Sequence, residues 1–302
     1  MTRTLDPIPD APFDVDGSPR WGSYRGSFEH VDLDPVAGRL ERLVRRKRWM
    51  WMTAITDEVL VAACVVDLGY VANGFAFVAT KDAIVVDRSA IVPRARVGAD
   101  GAARLASRGL KLDLGTRSMR VEARDLDVDA TIDAANAPPA ITAIARAGKF
   151  NITQKRALAT VRGRARAGGK AFSLDGGLAG WDFTAGLLAR HTAWRWAFGI
   201  GRDRSGTPIA FNLVDGFVGA TECALFRPGE TIGLEEPRIT LNGVRGVDVD
   251  LEFRTVGAHE QNSNFGIVRS RFVQAAGTFH GTIHGTAIDG VRGVAEDQDV
   301  LW

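Results

Sequence analysis

The sequence holds 302 residues, 45% of them hydrophobic and 25% charged, with a net charge of +2. Such a chain is long enough for one large or two ordinary domains, and its nearly balanced charge argues against nucleic acid as the main partner. No metal, nucleotide or catalytic-triad motif is present, which leaves functions that work through a pocket.

In chain order, residues 1–20 read as an irregular arm, with prolines and acids where a secretion signal needs a basic start and an apolar run. The longest apolar run, Val59–Val66, is far too short to cross a bilayer, so the sequence predicts a soluble, cytoplasmic protein. Trp21–Tyr24 is an aromatic entry to a first strand. A short helix is predicted from Asp34, with Asp34 as N-cap, Pro35 at the first helical position and Val36, Leu40, Leu43 and Val44 spaced for one apolar face. It ends in the basic run Arg45–Arg48. That run reads as a solvated helix end that complements the macrodipole, with peripheral contact to an anionic membrane as the alternative.

The chain then turns to β. Trp49–Ile55, Val59–Val66, Tyr70–Ala79 and Ala83–Val86 are rich in Val, Ile and aromatics and are separated by short turn clusters, the pattern of a meander. Residues Val92–Gly109 read as a loop, Leu110–Leu114 and Met119–Arg124 as strands. Asn136–Pro139 opens a connector taken as the join of two halves. Strands resume at Phe150–Lys155, Leu158–Arg166 and Phe172–Leu174.

Ala179–Gly199 then packs three of the seven tryptophans with Asp182 and His191. On an extended strand Trp194, Trp196 and Phe198 share a face with Thr192, which suits a core wall and a ligand-cavity wall equally. The pair repeats an earlier one: Trp49 and Trp51 match Trp194 and Trp196, Asp67 matches Asp215, and Ile84, Val86 and Ile91 fall on Ile232, Leu234 and Ile239. This internal similarity predicts an all-β protein of two tandem antiparallel barrels or curled sheets packed together, with little helix. Cys64 and Cys223 read as buried thiols rather than a disulfide.

Asp182 and His191 are the catalytic candidates, since a carboxylate and an imidazole in one cavity can protonate an alkene or move a proton next to a carbonyl. The bland alternative makes Asp182 a turn acceptor and His191 a surface residue. Trp49, Trp51, Tyr70, Lys155, Trp194, Trp196, Asn212, Glu222 and Glu296 are the candidate ligand-binding residues. Charges inside a barrel must be paired or act on ligand, so Glu222 or Glu296 is expected to pair with Lys155 or Arg195. His259 reads as a loop residue. His280 and His284 stand roughly 13 Å apart along a strand, too far to share one metal ion.

The pieces Lys47-Arg48-Trp49, Asp67-Leu68-Gly69-Tyr70, Asn151–Lys155, Asp182-Phe183-Thr184, Arg190, Thr192, Trp194–Ala197, Asn212-Leu213 and Ala295-Glu296-Asp297 resemble the bacterial domain-of-unknown-function family numbered twenty-eight-oh-four. More distantly, the chain is similar to the tandem-lipocalin superfamily that includes AttH-like proteins, carotenoid hydratases and cyclases. With the arm over residues 1–20 and the join at the connector, the resemblance implies that 21–140 and 141–302 are lipocalin-like β domains. It further implies a cavity for an isoprenoid-, lipid- or polyketide-like molecule. In the hydratase branch a histidine stands two residues before the tryptophan of the central motif; here that position is Thr192, with His191 one residue earlier. Two readings follow, both without a cofactor: an enzyme performing acid/base hydration, isomerisation or cyclisation, and a noncatalytic carrier of a lipid or other hydrophobic ligand or a structural protein.

Overall fold

A computed structural model describes residues 3–264, 266 and 268–302. Strands take up 65% of the chain and helix 5%, so the walls of any internal space are built from sheet. The architecture is two curled half-barrel sheets packed together, as the internal repeat predicts.

The first sheet runs, in hydrogen-bonded order, Ile84–Val92, Ala72–Ala79, Leu60–Asp67, Arg46–Ile55, Gly177–Leu188, Gly148–Ala167, Leu126–Asp133, Ser118–Ala123, Leu110–Gly115, Ala103–Ala106 and Arg96–Val97. The second runs Glu230–Gly233, Ala224–Arg227, Pro208–Gly216, His191–Arg202, Thr286–Leu301, Arg269–Ile283, Val249–Asn264, Gly243–Gly246 and Arg238–Thr240. The same plan is used twice. A tryptophan strand pairs with the next strand in sequence on one side and with the last long strand of its sheet on the other.

The passage between sheets falls after Leu188, so residues 141–188, expected in the second half, hydrogen-bond into the first. The Asn136–Pro139 connector is a turn inside that sheet. Val92–Gly109, expected as loop, carries two short strands. The repeat is also shifted in detail. Trp49 pairs with Val66 and Trp194 with Gly216, which puts Phe217, not Asp215, in the place of Asp67.

Period-two alternation divides the Arg46–Ile55 strand between two interiors. Met50 and Met52 enter the first sheet's own core with Val61, Val65, Leu105 and Leu112, whereas Trp49 and Trp51 face the second sheet in a separate buried cluster with Trp196, Phe198 and Phe211. Curling brings distant strands close: a Cβ at Gly74 would lie 2.8 Å from the Cys64 carbonyl oxygen and 2.9 Å from Leu112 Cδ1. The 20-residue Gly148–Ala167 strand bends at a bulge between Arg156 and Ala159, where Leu158 has φ +60°. Its first part pairs with Ile141–Ala145 and its last with Leu126–Asp133.

The predicted helix splits into a 3-10 turn, Asp34–Val36, and an α-helix, Arg39–Arg45. Asp34 opens the turn rather than capping a helix. The apolar face does not pack on the body: Leu40, Leu43 and Val44 are 76%, 58% and 58% exposed. Cys64 and Cys223 are free and buried. Among the described residues no helix is long and apolar enough to cross a membrane.

Candidate functional site

Strand register sets two rows of side chains face to face. Across the first sheet the row is Phe75, Cys64, Trp51, Asp182, Lys155 and Ile141, each paired with the next. Across the second it is Val214, Trp196, Glu296, Gln274 and His259. Directly paired residues share a sheet face. The rows cross in opposite senses: Phe75 stacks on His259 at 4.4 Å, Trp51 Nε1 donates to Gln274 Oε1 at 3.1 Å, and Lys155 Nζ lies 5.1 Å from the Trp196 ring centroid.

Asp182 and Glu296 are therefore counterparts, each opposite the second tryptophan of its sheet. Each also accepts the indole N–H of the first tryptophan, Trp49 Nε1 to Asp182 Oδ2 at 3.1 Å and Trp194 Nε1 to Glu296 Oε1 at 2.7 Å. The two indoles stack with centroids 5.8 Å apart, and Trp51 meets Trp196 edge-on at 4.8 Å. Between the rows lies a cavity of about 410 Å³, walled by Trp49, Trp51, Trp194, Trp196, Phe217 and Phe272, with Lys155, Asp182, Glu222, Gln274 and Glu296 as its polar end.

The two carboxyls have different partners. Lys155 Nζ sits 2.7 Å from Asp182 Oδ2 and 3.2 Å from Glu222 Oε2. Thr153 and Thr184 hydroxyls donate to Asp182 Oδ1 at 3.2 and 3.1 Å. Burial alone would push the Lys155 ammonium down, but Asp182 and Glu222 outweigh it and hold it above the usual lysine range. Burial lifts Glu222 above the usual carboxyl range, against the pull of Lys155.

Among the described residues Glu296 receives the Trp194 N–H and, at 2.6 Å, the Gln274 amide. Burial pushes it up to about 7, an effect those two hydrogen bonds moderate and the nearby Asp182 charge adds to. Cys64 stays a thiol in the wall, since burial raises it well above its usual range.

Of the residues singled out in the sequence, Trp49, Trp51, Tyr70, Lys155, Asp182, Trp194, Trp196, Glu222 and Glu296 all line the cavity. Asn212 stands behind the wall, accepting the Trp196 N–H at 2.7 Å and donating to the Glu222 carbonyl at 2.7 Å. His191 is not brought to Asp182. Its side chain is 63% exposed and 2.9 Å from Asp299, on the face opposite the tryptophans, as strand alternation requires. Arg195 pairs with Asp297 at 3.8 Å rather than with a cavity carboxyl. His259 is no loop residue: it lies on the Val249–Asn264 strand, is buried, and meets Asp87 at 2.8 Å.

Gln274 went unnoticed in the sequence because a neutral amide carries no charge signal. The one hint was a lone polar side chain in Phe272–Ala276 that needs a partner once buried.

Together these features define a double-sheet β protein with a largely apolar chamber lined by three buried carboxyls. Residues 12–302 match the family described as Domain of unknown function (DUF2804), and the chain belongs to that family. Among curated protein sequences none matches it significantly. Among solved structures the chain is similar to CghA, at 11% identity and a TM-score of 0.52 over 98% of this chain and 97% of that one. It is also similar to an AttH-like protein from Nitrosomonas europaea (11% identity, TM-score 0.48, 89% and 96% covered) and to kievitone hydratase from Nectria haematococca (12%, 0.45, 93% and 98%). At these identities the CghA likeness shows the shared fold.

Proposed function

We propose that the chain is an enzyme that moves a proton on an apolar, unsaturated small molecule, with Glu296 as the acid. The observation that carries this reading is the unequal pair. Asp182 lies on an ammonium, whereas its counterpart Glu296 lies on neutral donors in an apolar cavity and is poised near neutrality. A carboxyl lifted toward neutral pH by burial in an apolar cavity is suited to general-acid work. The aromatic wall supplies a lipid-soluble molecule with contact area, and the polar end orients one oxygen of it.

In the proposed step the Glu296 carboxyl gives its proton to one carbon of a polarised double bond, whose π electrons form the new C–H bond. Positive charge develops at the other carbon and faces the stacked rings of Trp49 and Trp194, which stabilise cations. Water or an internal π bond closes that centre, and the proton then lost returns to the Glu296 carboxylate. Hydration, isomerisation and cyclisation share this opening step. Lys155 and the Thr153 and Thr184 hydroxyls hold the Asp182 carboxyl in place.

The test uses the wild type and Glu296→Gln, which keeps the shape of the side chain and removes its acidic proton. Both are incubated in heavy water with an apolar extract of the producing cells, and deuterium uptake is followed by mass spectrometry. Uptake into a discrete compound with the wild type alone is expected. A ligand that both proteins retain, with no uptake by either, would establish a carrier.

A further inference from the structure

We infer that the Arg39–Arg45 helix docks the mouth of the cavity onto an anionic lipid surface. The helix is an anomaly in a well-packed chain, because none of its residues is buried and Leu40, Leu43 and Val44 all face solvent. Exposed large aliphatics concentrated on one short element mark a contact surface.

Charge selects the occupant. Residues 39–48 hold six basic side chains against one acid, while the whole chain carries only +2, so the remaining residues carry −3. Arg39 and Arg45 are exposed and, among the described residues, make no ion pair. Aliphatic side chains interleaved with arginines suit the headgroup boundary of an anionic bilayer, where apolar burial and charge attraction act together. Arg42 pairs with Asp34 and Arg46 with Asp67, so a second copy of the same face would set the exposed Arg39 and Arg45 of the two copies against each other.

Position links the helix to the cavity. Lys47 is fully buried beneath it, and its Nζ donates to the Val44 carbonyl at 2.8 Å and the Leu68 carbonyl at 3.3 Å. The same Nζ lies 5.0 Å from the Tyr70 ring centroid and 5.8 Å from that of Trp302. Leu68, Tyr70 and Trp302 line the cavity, and Tyr70 with Ile91 is 43% and 47% exposed, so the cavity opens there. The turn that carries Leu68 and Tyr70 touches the helix end, since a Cβ at Gly69 would lie 2.9 Å from the Leu43 carbonyl oxygen. An apolar ligand leaving a bilayer under this helix would meet the opening without crossing water.

Vesicle co-sedimentation of the full chain tests the inference. Vesicles of phosphatidylcholine mixed with phosphatidylglycerol are compared with vesicles of phosphatidylcholine alone. Binding to the anionic vesicles, weakened by salt, is expected. Replacing Leu40, Leu43 and Val44 together by Ser should abolish it, and Arg39→Ser with Arg45→Ser should weaken it roughly thirtyfold. All five positions are exposed, so both variants should melt as the wild type does, and they leave the cavity untouched. Absent wild-type binding overturns the inference, as does binding that both variants retain. So does self-association that the Ser variant removes while no vesicle is bound. The Glu296 reading stands or falls separately, since its test needs no membrane.

Discussion

Lys155 and Gln274 stand at matching places in the two sheets, each paired across the strand with the buried carboxyl of its own half, Asp182 and Glu296 respectively. One position holds an ammonium and the other an amide. An ammonium beside Asp182 and an amide beside Glu296 make the surroundings of the two carboxyls unequal, as do the Thr153 and Thr184 hydroxyls at Asp182.

Glu296 predicts how stability follows pH. Its folded value of about 7 lies above the ordinary 4.5, so between those values the unfolded chain has lost this proton while the folded chain keeps it. The unfolded state then binds fewer protons, and stability falls as pH rises through that window, by about 3 kcal/mol in all. Below it both states are protonated and the penalty is absent. Urea unfolding at a series of pH values should show this decline in the wild type and a flatter curve in Glu296→Gln. Turnover should fall as pH rises through about 7. His191→Ala is the control: an exposed side chain on a surface carboxylate should change stability by less than about 0.5 kcal/mol and turnover not at all.

The Lys155 cluster predicts a loss and a rescue. Lys155→Met strands Asp182 and Glu222 without a cation and should cost about 3–5 kcal/mol, the usual result of breaking a buried ion group from one side. Adding Asp182→Asn and Glu222→Gln removes the stranded charges and should restore most of that stability. Equal losses in the single and triple variants, measured by urea unfolding, would show that stranded carboxyl charge is not what the single variant loses stability to.

The edge-on contact of Trp51 with Trp196 joins the two sheets. Each Trp→Ala change should cost about 3–5 kcal/mol as a large-to-small substitution in a buried wall. A double-mutant cycle should give a coupling of about 1 kcal/mol for the ring pair. Additivity of the two losses would mean that the sheets are held elsewhere, for example by Arg292. Its guanidinium donates to the Ala79 and Thr80 carbonyls of the first sheet at 3.0 and 2.9 Å.

The sequence made the tryptophan pairs legible because two Trp-x-Trp strands announce both alternation and repetition. Lys155 and Glu222 were legible because a charge among strand residues demands a partner. Which carboxyl took the lysine was not, since that depends on pairings such as Asp182 with Trp51 that join residues far apart in the chain. The apolar spacing of Leu40, Leu43 and Val44 was read correctly as a face, but spacing does not say what the face meets. His191 misled through proximity: one residue along a strand turns a side chain to the other surface.

The strand order has a consequence for how the protein is made. Gly177–Leu188 is the last long strand of the first sheet to be synthesised, and Thr286–Leu301 the last of the second, yet both sit at the middle of their sheets beside the tryptophan strands. Until each arrives, the nascent chain holds an open hydrogen-bonding edge flanked by two indoles, the kind of surface that invites chaperones and mispairing. Asp182 and Glu296 ride on these two late strands. Glu296 is thus placed in the closing event of folding, and a long-range pairing step decides when the cavity of a newly made molecule is first complete.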